Sequence, residues 1–102
     1  MTVKITYDAL DDMRDIHSYI SEVLQSKETA DRQLNRLRKA IKSLDTFPER
    51  YKLTVYGPWA QMNVRQFPVD NYEIFYTVDE KAETVFVLRI LYGGREIEKI
   101  IQ

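Results

Sequence analysis

Cysteine is absent from the 102 residues, which excludes disulfide staples, thiolate catalysis and every metal site built on cysteine. The single histidine, His17, rules out a histidine cluster, so neither a metal nor a cofactor is expected. Glycine and proline number three each, too few for a linker or a low-complexity stretch, and the length suits one small domain covering 1–102. Long apolar runs are missing too. The longest fall far short of the roughly 20 residues that span a bilayer, and the opening MTVKITYDAL has no basic region ahead of an apolar stretch. The expected place is the cytoplasm, without membrane contact. Charge of one sign is also lacking: 15 Lys and Arg face 16 Asp and Glu, for a net charge of -1, so attraction of the whole molecule to nucleic acid is not implied.

Hydrophobic residues at 44% and charged residues at 30% describe an ordinary globular protein. Val3, Ile5 and Tyr7 alternate with Thr2, Lys4 and Thr6, the period of a half-buried strand. Asp8 then suits the cap of a helix whose apolar stripe runs through Leu10, Met13, Ile16 and Ile20, with Asp11, Asp12 and Asp15 near the positive end of its dipole. The pattern breaks at 25–28. A second stripe, Ala30, Leu34, Leu37, Ile41 and Leu44, ends before Phe47-Pro48, because proline disfavours helix in the residue ahead of it. So short a break makes the two helices an antiparallel hairpin.

Residues 47–61 are irregular and rich in aromatics, and read as a loop whose Tyr51, Tyr56 and Trp59 pack on the core rather than stack on bases. Three strands follow at 62–67, 72–78 and 84–91, an antiparallel meander with turns at 68–71 and 79–83, and 95–101 suits one short helical turn. The predicted fold is α+β: a strand, the helix hairpin and the meander, with both helices on one sheet face. If Val78 opposes Thr84, then Tyr76 meets Phe86, Ile74 meets Leu88 and Glu73 meets Arg89. That register leaves Arg65, Glu73, Phe75, Thr77, Val87, Arg89 and Leu91 on the face away from the helices, where a ligand or partner would bind.

No catalytic constellation stands out among these residues. Arg65, Arg89 and Arg95 are fixed cations able to grip phosphate or carboxylate, and Tyr92 offers a hydroxyl beside Gly93-Gly94, itself read as a plain strand-ending turn. Arg89 is expected to form a cross-strand pair with Glu73, worth about 0.2 to 1 kcal/mol. His17 is a helix-boundary residue without a role. Arg32 and Arg36 belong to a basic flank at 27–52, a solvated face that also offers a contact surface.

The order of elements, with VRQF around Arg65, YEIFYTV at 72–78 and RILYGGR at 89–95, resembles the RelE/ParE toxin superfamily over nearly the whole chain. The resemblance implies the toxin of a bacterial type II toxin–antitoxin pair, held inactive by a small antitoxin whose C-terminal segment wraps it. RelE-like members cut messenger RNA on the ribosome, and ParE-like members bind DNA gyrase. The nuclease members carry an arginine where this chain has Glu73, and a carboxylate there repels the scissile phosphate; the C-terminal histidine of YoeB-like members has no counterpart either. The wording of the last two strands is closer to ParE-like members. The leading expectation is therefore a toxin that inhibits gyrase by binding, with target contacts from Arg65, Arg89, Tyr92 and Arg95. The alternative is a ribosome-dependent, metal-independent endoribonuclease using Arg65, Tyr92 and Arg95; a third reading is a toxin fold that persists only as a binding module. Antitoxin contacts are expected at Arg32, Arg36, Phe75 and Leu91.

Overall fold

A computed structural model describes residues 1–94 and 97–101. Strand β1 (Thr2–Ile5) leads into helix α1 (Tyr7–Ser18), which continues through a π-helical turn at Tyr19–Val23; α2 (Lys27–Lys42) returns antiparallel to it and tightens into a 3-10 turn at Ser43–Asp45. Strands β2 (Arg65–Val69), β3 (Tyr72–Asp79) and β4 (Thr84–Tyr92) follow, and α3 (Ile97–Ile100) closes the described chain. The α+β architecture is the one expected. The sheet order is β1-β4-β3-β2, with β1 parallel to β4 and the other pairs antiparallel.

The first cap differs from expectation. Thr6, not Asp8, is the N-cap of α1, its hydroxyl accepting from Ala9 N at 3.2 Å, while Asp8 sits in the first turn. Both residues suit a cap. Thr6 holds the position because its backbone is already tied to β4, Thr6 N donating to Val87 O at 3.1 Å and its hydroxyl to Leu88 O at 3.1 Å. Ser26 caps α2 in the same way, through Thr29 N at 3.3 Å.

The register of β3 and β4 is also corrected. Val78 faces Val85 and Asp79 faces Thr84, because the connecting turn is one residue shorter than expected. A second shift falls between Phe75 and Tyr76: Tyr76 pairs with Val87 but Phe75 with Arg89, leaving Leu88 as the extra residue of a β-bulge. Each slip of one residue moves a side chain to the other face. Val87 therefore joins the helix-side core, and Glu73 stands opposite Leu91 rather than Arg89.

Two apolar layers result. On the helix face Ala9, Met13, Leu37 and Ile41 pack on Phe67, Ile74, Tyr76, Val85, Val87 and Ile90. On the other face, Val64, Phe75 and Leu91 are buried beneath Ile97 and Ile101, with Tyr56, Trp59 and Leu88 around them. That face was expected to lie open, and it is covered. Trp59 and Tyr56 sit 5.0 and 6.3 Å from the Phe75 ring, as the aromatic-loop reading anticipated. They pack there because a face carrying Phe75 and Leu91 cannot stay wet without losing about 25 cal/mol for each Å² of apolar surface.

Candidate functional site

The cations singled out from the sequence, Arg95 apart, each have a definite setting. Arg65, on β2, turns its guanidinium onto the chain that follows α2: Nη1 donates to Tyr51 O at 2.7 Å and Glu49 O at 3.2 Å, and Nη2 lies 4.0 Å from Glu49 Oε2. It fastens that loop and keeps only 23% of its side-chain surface exposed. Arg89 does not meet Glu73. Its guanidinium reaches Asp12 of α1 instead, with Nε to Oδ2 at 2.8 Å and Nη2 to Oδ1 at 3.0 Å, a bidentate pair of the strong type. The Asp12 hydrogen bond is the main reason the Arg89 pKa lies above its ordinary value. Asp12 also accepts from Ile90 N at 2.9 Å, so one carboxylate takes three donors. Its place among the first-turn aspartates gave no sign of this.

Arg36 joins α2 to the turn between β2 and β3, donating from Nε and Nη2 to Asp70 at 2.7 and 2.8 Å, with Gln33 Nε2 on the same carboxylate at 2.9 Å. The Arg36 contact, then the Gln33 one, holds the Asp70 carboxyl below the usual range. Among the described residues Arg32 makes only a 3.5 Å contact, with Thr29 Oγ1, and it stands on the exposed face of α2. Tyr92 is half exposed at the end of β4. Its ring meets that of Tyr72 edge-on at 6.0 Å and lies against Gly94, where an added Cβ would come within 2.7 Å of it. A glycine is needed there for the ring to keep its place. Arg95 lies outside the described residues.

Phe75 and Leu91 are buried under the C-terminal helix and the aromatic loop. The hydroxyl of Tyr76 donates to Pro48 O within the helix-side core, and burial pushes its pKa up to about 12, which removes it from proton transfer near neutrality. Glu73 has a half-made set of contacts. Gln66 Nε2 reaches its Oε1 at 3.4 Å, Gln66 in turn accepts from the Thr54 hydroxyl at 2.6 Å, and Glu73 Oε2 is buried without a partner among the described residues.

A surface that sequence reasoning missed lies between the two long helices. Ile5, Leu10, Met13 and Leu34 floor a groove of about 390 Å³, and Arg14, His17 and Arg38 stand around it. His17, given no role from the sequence, bridges the hairpin: its Nε2 is 2.7 Å from Asp31 Oδ1, and this contact above all holds the Asp31 carboxyl below its usual value. Arg38 makes no hydrogen bond or ion pair among the described residues. The signal was present in Leu10 and Leu34, apolar members of each stripe that the core does not fully bury. Among the described residues no three His, Cys, Asp or Glu side chains converge on a metal position, and no helix is long and apolar enough to cross a membrane.

The family model for the ParE toxin of the ParDE type II toxin–antitoxin system matches residues 3–97. Among solved structures the fold is similar to a chain of the chromosomal ParDE system of P. aeruginosa, with a TM-score of 0.75, 19% identity, and coverage of 90% of this chain and 95% of that one. A chain of the RelBE2 complex of Mycobacterium tuberculosis gives a TM-score of 0.59 at 20% identity, covering 89% and 88%. One from the intact E. coli RelBE complex gives 0.57 at 18% identity, covering 92% and 98%. No curated protein sequence matches significantly.

Proposed function

The chain belongs to the ParE toxin family, within the RelE/ParE superfamily of type II toxins, and from that premise we propose that it arrests growth by binding DNA gyrase and is silenced by a small cognate antitoxin. The observation that carries the gyrase reading is the engagement of Arg65 and Arg89. RNA cleavage in this fold needs positive groups free to meet the charge that develops on the scissile phosphate. Here Arg89 is held by Asp12, Arg65 is turned onto backbone carbonyls, and Glu73 brings a carboxylate to the face away from the helices. A protein target asks for a shaped surface and no such constellation.

Purified protein is expected to inhibit supercoiling by gyrase and to stabilise its cleavage complex, and unchanged gyrase activity would overturn the reading. New A-site cuts in messenger RNA, seen by primer extension after induction, would establish the ribosome instead. Growth without arrest, in cells that express the chain and lack the antitoxin, would point to a binding module.

For the antitoxin, the groove between α1 and α2 is the best-supported seat. Its floor is apolar and its rim carries Arg14 and Arg38, a combination that fits an amphipathic segment with acidic residues along its edges. Arg32 and Arg36, two residues either side of Leu34, lie round α2 from the groove and would meet only a segment that continues across the outer side of that helix. Phe75 and Leu91 can contribute only where the cover over them is displaced, so the groove offers the antitoxin its open apolar surface. Leu34→Glu together with Arg38→Glu is expected to weaken antitoxin binding by at least about a hundredfold, as hot-spot truncations of about 3 kcal/mol do. Unchanged affinity in a pull-down or titration would place the antitoxin elsewhere.

A further inference from the structure

At the end of the sheet where β3 begins and β4 stops, Asp70, Asn71, Tyr72, Glu73, Tyr92 and Gly94 line a depression of about 230 Å³. Its described lining carries two carboxylates and no cation. Asp70 is already matched by Arg36 and Gln33. Glu73 is not: one oxygen has only the long contact from Gln66, and the other is buried with no donor among the described residues. A buried carboxylate oxygen without a donor is costly and uncommon in a folded protein. Because the terminal torsion of a glutamate turns softly, either oxygen can be brought to the depression. On its other side the rings of Tyr72 and Tyr92, 6.0 Å apart and inclined at 71°, present π faces and edges.

We propose that this depression is the receptor for an arginine side chain of a bound polypeptide, with the guanidinium neutralised by Glu73 and flanked by Tyr72 and Tyr92. Arginine fits better than lysine because its planar fork matches a carboxylate in two places and stacks on aromatic rings while doing so. A phosphate is excluded by the same charge, so the position that carries a phosphate-gripping arginine in the nuclease relatives has its polarity reversed here. The receptor rests on its own geometry and does not depend on gyrase being the target.

The test is an NMR titration of the full chain with Nα-acetyl-arginine amide, with the uncharged Nα-acetyl-citrulline amide as control. Saturable shifts are expected at the amides of Asn71, Glu73 and Gly93, with citrulline binding weaker by at least about tenfold and Glu73→Gln reducing arginine affinity by a similar factor. The Glu73→Gln protein should fold with an equal or higher Tm, since it loses a buried charge and keeps its shape, so a loss of binding is not a loss of structure. No saturable shift, or an affinity that Glu73→Gln leaves unchanged, would overturn the proposal. Titrating Arg95→Gln in parallel identifies the occupant: binding confined to that variant would mean that the chain's own arginine fills the receptor, and would overturn its assignment to a partner. No gyrase enters the experiment, so its failure and that of the gyrase reading are separate results.

Discussion

The two faces of the sheet are closed by different means. On one, α1 and α2 lay regular stripes across Phe67, Ile74, Tyr76 and Val87, and each stripe is anchored by its own cap. On the other, an irregular loop and the single-turn helix α3 cover Val64, Phe75 and Leu91, and the same layer includes the polar chain Thr54–Gln66–Glu73, which ends on an oxygen without a partner among the described residues. Regular helices fold with many local contacts and open with the whole domain, whereas a short cover with few contacts opens by itself. The helix face therefore sets global stability, and the opposite face is the layer expected to open locally.

The largest expected effect sharpens that difference. Leu37→Ala, at a fully buried position on the helix face, should cost about 3 kcal/mol or more and lower Tm by roughly 10–20 °C. Ile97→Ala, in the cover, should lower it far less while speeding amide hydrogen exchange at Phe75 and Leu91. Equal losses of Tm with unchanged exchange would show that both layers open as one unit. Next in size is the tie between α1 and β4. Asp12→Ala leaves Arg89 and Ile90 N without their acceptor and should cost about 3 kcal/mol, and combining it with Arg89→Met should recover part of the loss. A double-mutant cycle in urea measures the coupling, and simple additivity would mean the pair contributes nothing beyond its parts.

Acid produces the smallest effect. Asp31 and Asp70 both titrate below their ordinary value in the folded chain, through His17 and Arg36 respectively. A depressed carboxylate stabilises above the unfolded pKa, and that stability is lost as pH falls through the folded one. Unfolding midpoints in urea should therefore drop as pH falls below the ordinary carboxylate range of about 4, and the drop should shrink in the Asp31→Asn, Asp70→Asn double variant. Both sites are exposed enough for salt to weaken the effect. A drop as large in the double variant as in the native chain would assign the acid sensitivity to other carboxylates.

The helix face was legible in the sequence because its residues recur at a fixed period: Leu37 and Ile41 declare their side with no knowledge of the rest of the chain. The cover was legible only in part: Tyr56 and Trp59 were expected to pack on the core and 95–101 to form a helical turn, but segments so short or irregular show no period that would say which face they close. Register failed at two places: the turn before Thr84 is one residue shorter than expected, and nothing in the wording around Leu88 announces a bulge; only with both shifts does Arg89 stand opposite Phe75 instead of Glu73. Asp12 and Arg89 are 77 residues apart, and a contact at that distance follows only from the folded arrangement. At the N-cap, Thr6 and Asp8 were both chemically suitable, and the tertiary link from Thr6 to β4 decided between them.

One carboxylate has a consequence for the behaviour of the protein in a crowded cell. Strand β1 stops at Ile5, and beyond it the border of β4 would present Ile90 N–H to any extended chain that came near. Asp12 occupies that donor. It offers an acceptor where another strand would have placed a carbonyl, and it ends the sheet as a stopper ends a row. Removing it would expose a template for recruitment, and the resulting chains should precipitate during expression even where the purified fold survives.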